Sequence, residues 1–228
     1  MNNVFSLLEV PLFPIFLSLK IAGLATVCSL ILGLCSARLL ARRRSVLTSI
    51  LDALCALPMV LPPTVLGYCL ILLFGRHGLL GPTLQMFGLQ LMFSWQGAVV
   101  AATVVTFPLI HKSAKAALEA VDPSLENAAR TLGASELSIF FGISLPLAFR
   151  GILAGTLLAF ARGMGEFGAT LMLAGNIPGK TQTLSLAIYD AFQAGNDAQA
   201  AGLVLITSFL CASILISAER LISLGGHR

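Results

Sequence analysis

From Leu12 to Leu40 the only charged side chains are Lys20 and Arg38. At about 1.5 Å of rise per residue, such a run crosses a hydrocarbon core of roughly 30 Å as one helix. Runs of the same character follow at about residues 46–74, 95–115, 146–173 and 198–220. With 57% hydrophobic and 11% charged residues among 228, a water-soluble domain could not cover this apolar surface. Lipid is the solvent the chain requires. The expected fold is all-α: an integral membrane protein of about five transmembrane helices, forming one domain over residues 1–228 with its core at about 12–220. The first run is too long for a cleavable leader and ends in arginines, so no signal peptide is expected.

The positions of the positive charges give the orientation. Arg38, Arg42, Arg43, Arg44, Lys112, Lys115, Arg130, Arg150, Arg220 and Arg228 fall on one set of connections, and only Arg76 and Lys180 on the other. Cytoplasmic loops carry the excess of Lys and Arg, which predicts the N-terminus outside and the C-terminus in the cytoplasm. The net charge of +4 is thus membrane sidedness and not a nucleic-acid footprint. Lys20 is placed to snorkel and Trp95 to anchor at an interface. Cys28, Cys35, Cys55, Cys69 and Cys211 lie in or beside apolar runs with no CxxC spacing, and read as small buried hydrophobes. His111 has no partner at metal spacing and reads as a solvated residue. No metal or cofactor is expected.

Two runs are interrupted. Pro58, Pro62 and Pro63 cannot all sit in an unbroken helix, so a helix over about 46–57, an irregular turn and a helix from about residue 64 are expected. Non-helical backbone at membrane depth persists only where protein or a water-lined path satisfies it. The break therefore marks either a translocation path or a kinked packing helix. The fourth run contains Arg162, Gly163, Gly165, Glu166 and Gly168. Two charges in an apolar segment are costly unless paired or facing water, which nominates a functional site. At i and i+4 they also suit a structural ion pair on one helix face.

The longest polar stretch, 119–146, has helical logic of its own. Asp122-Pro123 is an N-cap followed by proline at the first helical position, and Leu125, Ala128, Ala129 and Leu132 recur at helical spacing. Gly133 suits a left-handed residue past the helix end, and Ser135 caps a second short helix before Pro146 opens the next run. Asn127-Ala128-Ala129, Gly133 and Ile143-Ser144-Leu145-Pro146 keep a fixed spacing. That spacing resembles the loop of the inner-membrane permeases of binding-protein-dependent ABC importers, which reads Glu-Ala-Ala, three residues, Gly, nine residues, Ile-x-Leu-Pro. The sequence departs at the first position, where Asn127 stands and the acid, Glu126, comes one residue earlier, so a polar contact by that acid is shifted or lost. The resemblance implies a cytoplasmic two-helix coupling loop of the type I importer fold, docking into an ATPase through Glu126, Asn127, Ala128, Ala129, Gly133, Ile143, Leu145 and Pro146.

Residues 57–63 (LPMVLPP), 160–170 (FARGMGEFGAT) and 175–179 (GNIPG) are similar to the oxyanion branch of that family, the molybdate, tungstate and sulfate permeases. Residues 93–99 (FSWQGAV) and the compact length resemble the molybdate members most. The resemblance implies a homodimer with two cytoplasmic ATPase subunits and a periplasmic oxyanion-binding protein in the bacterial inner membrane, and no catalysis in this chain. Tungstate or sulfate transport is the nearer alternative. A secondary transporter using Arg162 and Glu166 for ion coupling is the more distant one, since no internal repeat is evident. Residues 174–181 (AGNIPGKT) fit a loose phosphate-loop pattern, but without the strand, helix and acidic partner of a nucleotide site they read as an outside turn centred on Pro178-Gly179.

Overall fold

Two helices lined with small residues form the axis of the protein. In the computed structural model, which describes residues 12–42 and 45–224, these are α1 (Leu12–Leu40) and α5 (Trp95–Glu119). Ala25, Ser29, Gly33 and Ala37 of α1 meet Ala98, Ala102, Thr106, Ile110 and Ala114 of α5, all buried. Between apolar helices in lipid there is little hydrophobic drive to associate, so small residues that let backbones approach supply the packing. Ser29 Oγ adds bonds to Thr106 Oγ1 at 2.8 Å and to the Thr103 carbonyl at 3.0 Å, each worth about 1 kcal/mol in a membrane.

α8 (Leu145–Met164) packs against both α1 and α5, with Ser113 Oγ donating to the Gly151 carbonyl at 2.7 Å. It is not a fresh start at Pro146. A π-helical turn over Phe140–Ser144 joins it to α7 (Glu136–Ile139), so one apolar helical path runs from Glu136 to Met164. The expected second short helix is therefore the first turn of the span. The span then stops earlier than 173, at Gly165, and resumes as α9 (Gly168–Ala174).

The run over 46–74 breaks as the prolines require. α2 (Val46–Val60) and α3 (Pro63–Phe74) meet at 113° across Leu61–Pro62. Pro63 opens α3, where a fixed φ and a missing N–H cost nothing. Pro58 stays inside α2 rather than at the break. Among the described residues four helices are individually long and apolar enough to cross a membrane, and α2 with α3 passes the same test when the bent pair is taken as one, which gives up to five spans. The short α4 (Gly81–Met86) and α10 (Leu184–Gln193) lie on connections, and α11 (Asp197–Leu224) closes the order.

The cysteines depart from the buried reading: Cys28, Cys35 and Cys69 are exposed on the bundle surface, Cys55 and Cys211 half-buried, and all are free thiols. Arg38, Arg42, Lys112, Lys115 and Arg130 gather at the end of the bundle where the 119–146 segment sits. Arg43, Arg44 and Arg228, counted in the same asymmetry, lie outside the described residues. Lys20 Nζ sits 3.7 Å over the Trp95 ring.

Candidate functional site: a docking loop and two facing helix breaks

The loop begins as its sequence suggests. Asp122 accepts from the Ser124 N–H at 2.9 Å and caps α6 (Pro123–Thr131). Gly133 takes φ +82°, and Ser135 caps α7. A residue with Cβ adopts that φ at a cost of about 1 kcal/mol or more.

The acid displaced by one residue has polar contacts within the chain. Glu126 is the buried member of α6: its carboxylate pairs with Arg42 Nη1 and accepts from Ser144 Oγ at 2.7 Å, with Arg130 Nη2 at 3.6 Å. Arg42 in turn donates to the Leu118 and Val121 carbonyls from a left-handed backbone, φ +62°. One carboxylate thus ties α6 to the end of α1 and to the π-turn. The Asn127 side chain does not bond to the Glu126 carboxylate; among the described residues it accepts from Arg130 Nη1 alone, at 2.8 Å.

With Glu126 turned inward, the apolar stripe of α6 turns out. Leu125 and Ala128 are exposed, Ala129 is half-buried, and Leu132 is 88% exposed; Leu137 and Phe141 continue the open surface. Glu136, exposed at the surface, bridges the two short helices: Arg130 donates to its two oxygens at 2.6 and 3.0 Å. Ile143 and Leu145 are half-buried and Pro146 exposed.

Farther along the bundle the two helix breaks face each other. A Cβ on Gly168 would lie 2.6 Å from Pro63 Cβ, so only glycine lets the start of α9 reach the start of α3. Pro58, Leu61, Pro63 and Arg162 line one cavity beside the breaks, while Pro62 is exposed. Gly163 is buried against Ala22 and Thr106, halfway along α1 and α5, and Gly165 is exposed in the break itself. Glu166 is off the helix and shares no face with Arg162. The two still pair, with Arg162 Nη1 at 3.0 Å from Glu166 Oε2, a contact of charges not aligned as a hydrogen bond. Glu166 Oε1 accepts from the Ala169 N–H at 3.0 Å, satisfying one free donor of α9.

His111 overturns its solvated reading. It is fully buried, with Nε2 2.8 Å from Asp52 Oδ1 and Nδ1 2.8 Å from Ser36 Oγ. Asp52 also meets Lys112 at 2.5 Å and Lys115 at 3.2 Å. This cluster is the polar attachment of α2, which buries no residue of its own. The signal was available: a lone carboxylate in an apolar run requires a partner, and three basic side chains lay in one run at 111–115.

The phosphate-loop lookalike is a turn. Lys180 N–H bonds to the Ile177 carbonyl at 3.0 Å across Pro178-Gly179, and Thr181 Oγ1 is buried in its own loop, bonded to Ile177 N–H and the Gly175 carbonyl. A hydroxyl so committed is not free for a magnesium ion.

The family model of the binding-protein-dependent transport system inner membrane component matches residues 29–224. The molybdenum transport system permease protein ModB of Escherichia coli (strain K12) is 45% identical over 216 residues, 94% of this chain and 94% of that protein. ModB of Haemophilus influenzae is 46% identical over 205 residues, covering 89% of this chain and 90% of its own. Among solved structures, the methionine ABC transporter MetNI in an inward-facing conformation superposes with a TM-score of 0.74 at 19% identity, over 96% of this chain and 97% of the other.

Proposed function

The chain belongs to the family of binding-protein-dependent transport system inner membrane components, and from that membership we propose that it is the permease of an ATP-driven importer of molybdate. The near full-length likeness to molybdenum permeases carries the reading. It is a multi-pass inner-membrane protein and not itself an enzyme; hydrolysis of ATP belongs to separate subunits.

The open stripe of Leu125, Ala128, Ala129 and Leu132 supports α6 as the contact for the ATPase, with Glu126 holding it from behind. The basic residues gathered at that end support a cytoplasmic loop end and an N-terminus outside. Arg162 supports the dimer: its side chain is 42% exposed, lining a cavity with Val105 and Leu109 of α5 beside an irregular backbone. Lipid tolerates neither feature, so a water-lined path and a second copy of the chain cover this face. The path would run past Pro58, Pro62, Pro63, Arg162, Gly163, Gly165, Glu166 and Gly168. A periplasmic binding protein would deliver the oxyanion. ATP-driven closure of the ATPase pair would move the two loops and shift the spans between two packings.

The test is growth of a bacterium lacking its own molybdate permease at limiting molybdate. This chain, supplied with its ATPase and binding protein, is expected to restore growth and molybdenum uptake. Absence of rescue by a protein present in the membrane would contradict the assignment.

A further inference from the structure

Arg162 and Glu166 do not share their contacts evenly. The Glu166 side chain is 2% exposed, with one oxygen bound to the Ala169 N–H and the other against Arg162. Among the described residues the guanidinium has no partner besides Glu166, and it lines the cavity of Pro58, Leu61, Pro63 and Leu66. The cation faces the path, and its counter-ion stands behind it, held by backbone.

We propose that Glu166 is a built-in counter-anion that keeps Arg162 from trapping the oxyanion during passage. This rests on the importer reading above. A lone guanidinium away from bulk water presents paired N–H donors that suit a tetrahedral dianion, and the contact strengthens as the local dielectric falls. A path must attract an ion enough to enter and release it fast enough to conduct. With a carboxylate 3.0 Å from Nη1, the attraction is largely cancelled while the donors stay available. Because the Ala169 N–H fixes Oε1, the carboxylate does not leave with the anion. Glu166 therefore sets how long the oxyanion stays.

Glu166→Gln separates the two duties, since an amide oxygen still accepts from Ala169 while the charge is gone. Permease–ATPase complexes in lipid nanodiscs, without binding protein, are dialysed against radiolabelled molybdate; the same complexes with loaded binding protein are assayed for uptake in proteoliposomes. Glu166→Gln is expected to bind molybdate about tenfold more tightly than the unsubstituted complex, a difference of about 1.4 kcal/mol, and to transport it more slowly. Arg162→Gln with Glu166→Gln should lose the added affinity. A merely structural ion pair would give no gain of binding in any variant. Should Glu166→Gln not accumulate, Glu166→Asp, which withdraws the charge from Arg162 by one methylene, is expected to shift affinity in the same direction by a smaller factor. Unchanged affinity in the accumulating variant, with normal uptake by the unsubstituted complex, overturns the counter-anion role alone. An unsubstituted complex that transports no molybdate, tungstate or sulfate overturns the importer reading and this inference with it.

Discussion

At the scale of single residues, Glu126 holds more of the loop than any of its neighbours. Its carboxylate meets Arg42, Ser144 and Arg130, and removing it leaves a partly buried guanidinium without its anion. Glu126→Ala is expected to cost about 1–3 kcal/mol of local stability, discounted because Arg42 is partly solvated. Hydrogen exchange of residues 120–135 should accelerate, and ATPase copurification should fall. Asn127→Ala, which leaves the Glu126 contacts in place, should change neither; equal effects of both would contradict the assignment. The Gly133 turn and both serine and aspartate caps were legible because each rests on local backbone chemistry. The inward turn of Glu126 was not, since one residue of displacement rotates a side chain by about 100° and only the packed neighbours decide which face is buried. For His111 the lone Asp52 in an apolar run signalled a basic partner, but that His111 is the buried one, with Ser36 75 and Asp52 59 residues away, is decided by packing.

At the scale of elements, the two breaks depend on each other. Gly168→Val would drive a branched side chain into Pro63, and overpacking of this kind costs about 1–3 kcal/mol. The expected result is a permease that still reaches the membrane with uptake strongly reduced; unimpaired uptake would mean the contact between the start of α3 and the start of α9 is dispensable. The break over Leu61–Pro62 was legible from three prolines, although Pro58 proved compatible with α2. The stop at Gly165 was not, because glycines and an i, i+4 charge pair also suit a continuous helix. For α6, Ala129→Asp would bring an unpaired carboxylate into the proposed contact, where desolvation costs several kcal/mol. The five spans should insert normally while ATPase pull-down and uptake both fall. Pull-down and uptake at normal levels would remove α6 as the docking element.

At the scale of the whole molecule, apolar run lengths and charge asymmetry were enough to read the class of fold, because a bilayer leaves few solutions for a backbone. What they could not supply is which faces meet: the small residues of α1 and α5 recur every three or four positions, which marks a face of each helix but not its partner. If this bundle moves molybdate at the expense of ATP hydrolysed by other subunits, proteoliposomes holding the permease with its ATPase and binding protein should take up radiolabelled molybdate. Uptake is expected to require ATP and binding protein, to persist when ion gradients are collapsed, and to be competed by unlabelled molybdate and tungstate more than by sulfate. Uptake driven by an ion gradient without ATP, or ATP-driven uptake of sulfate that excess molybdate leaves untouched, would contradict this reading.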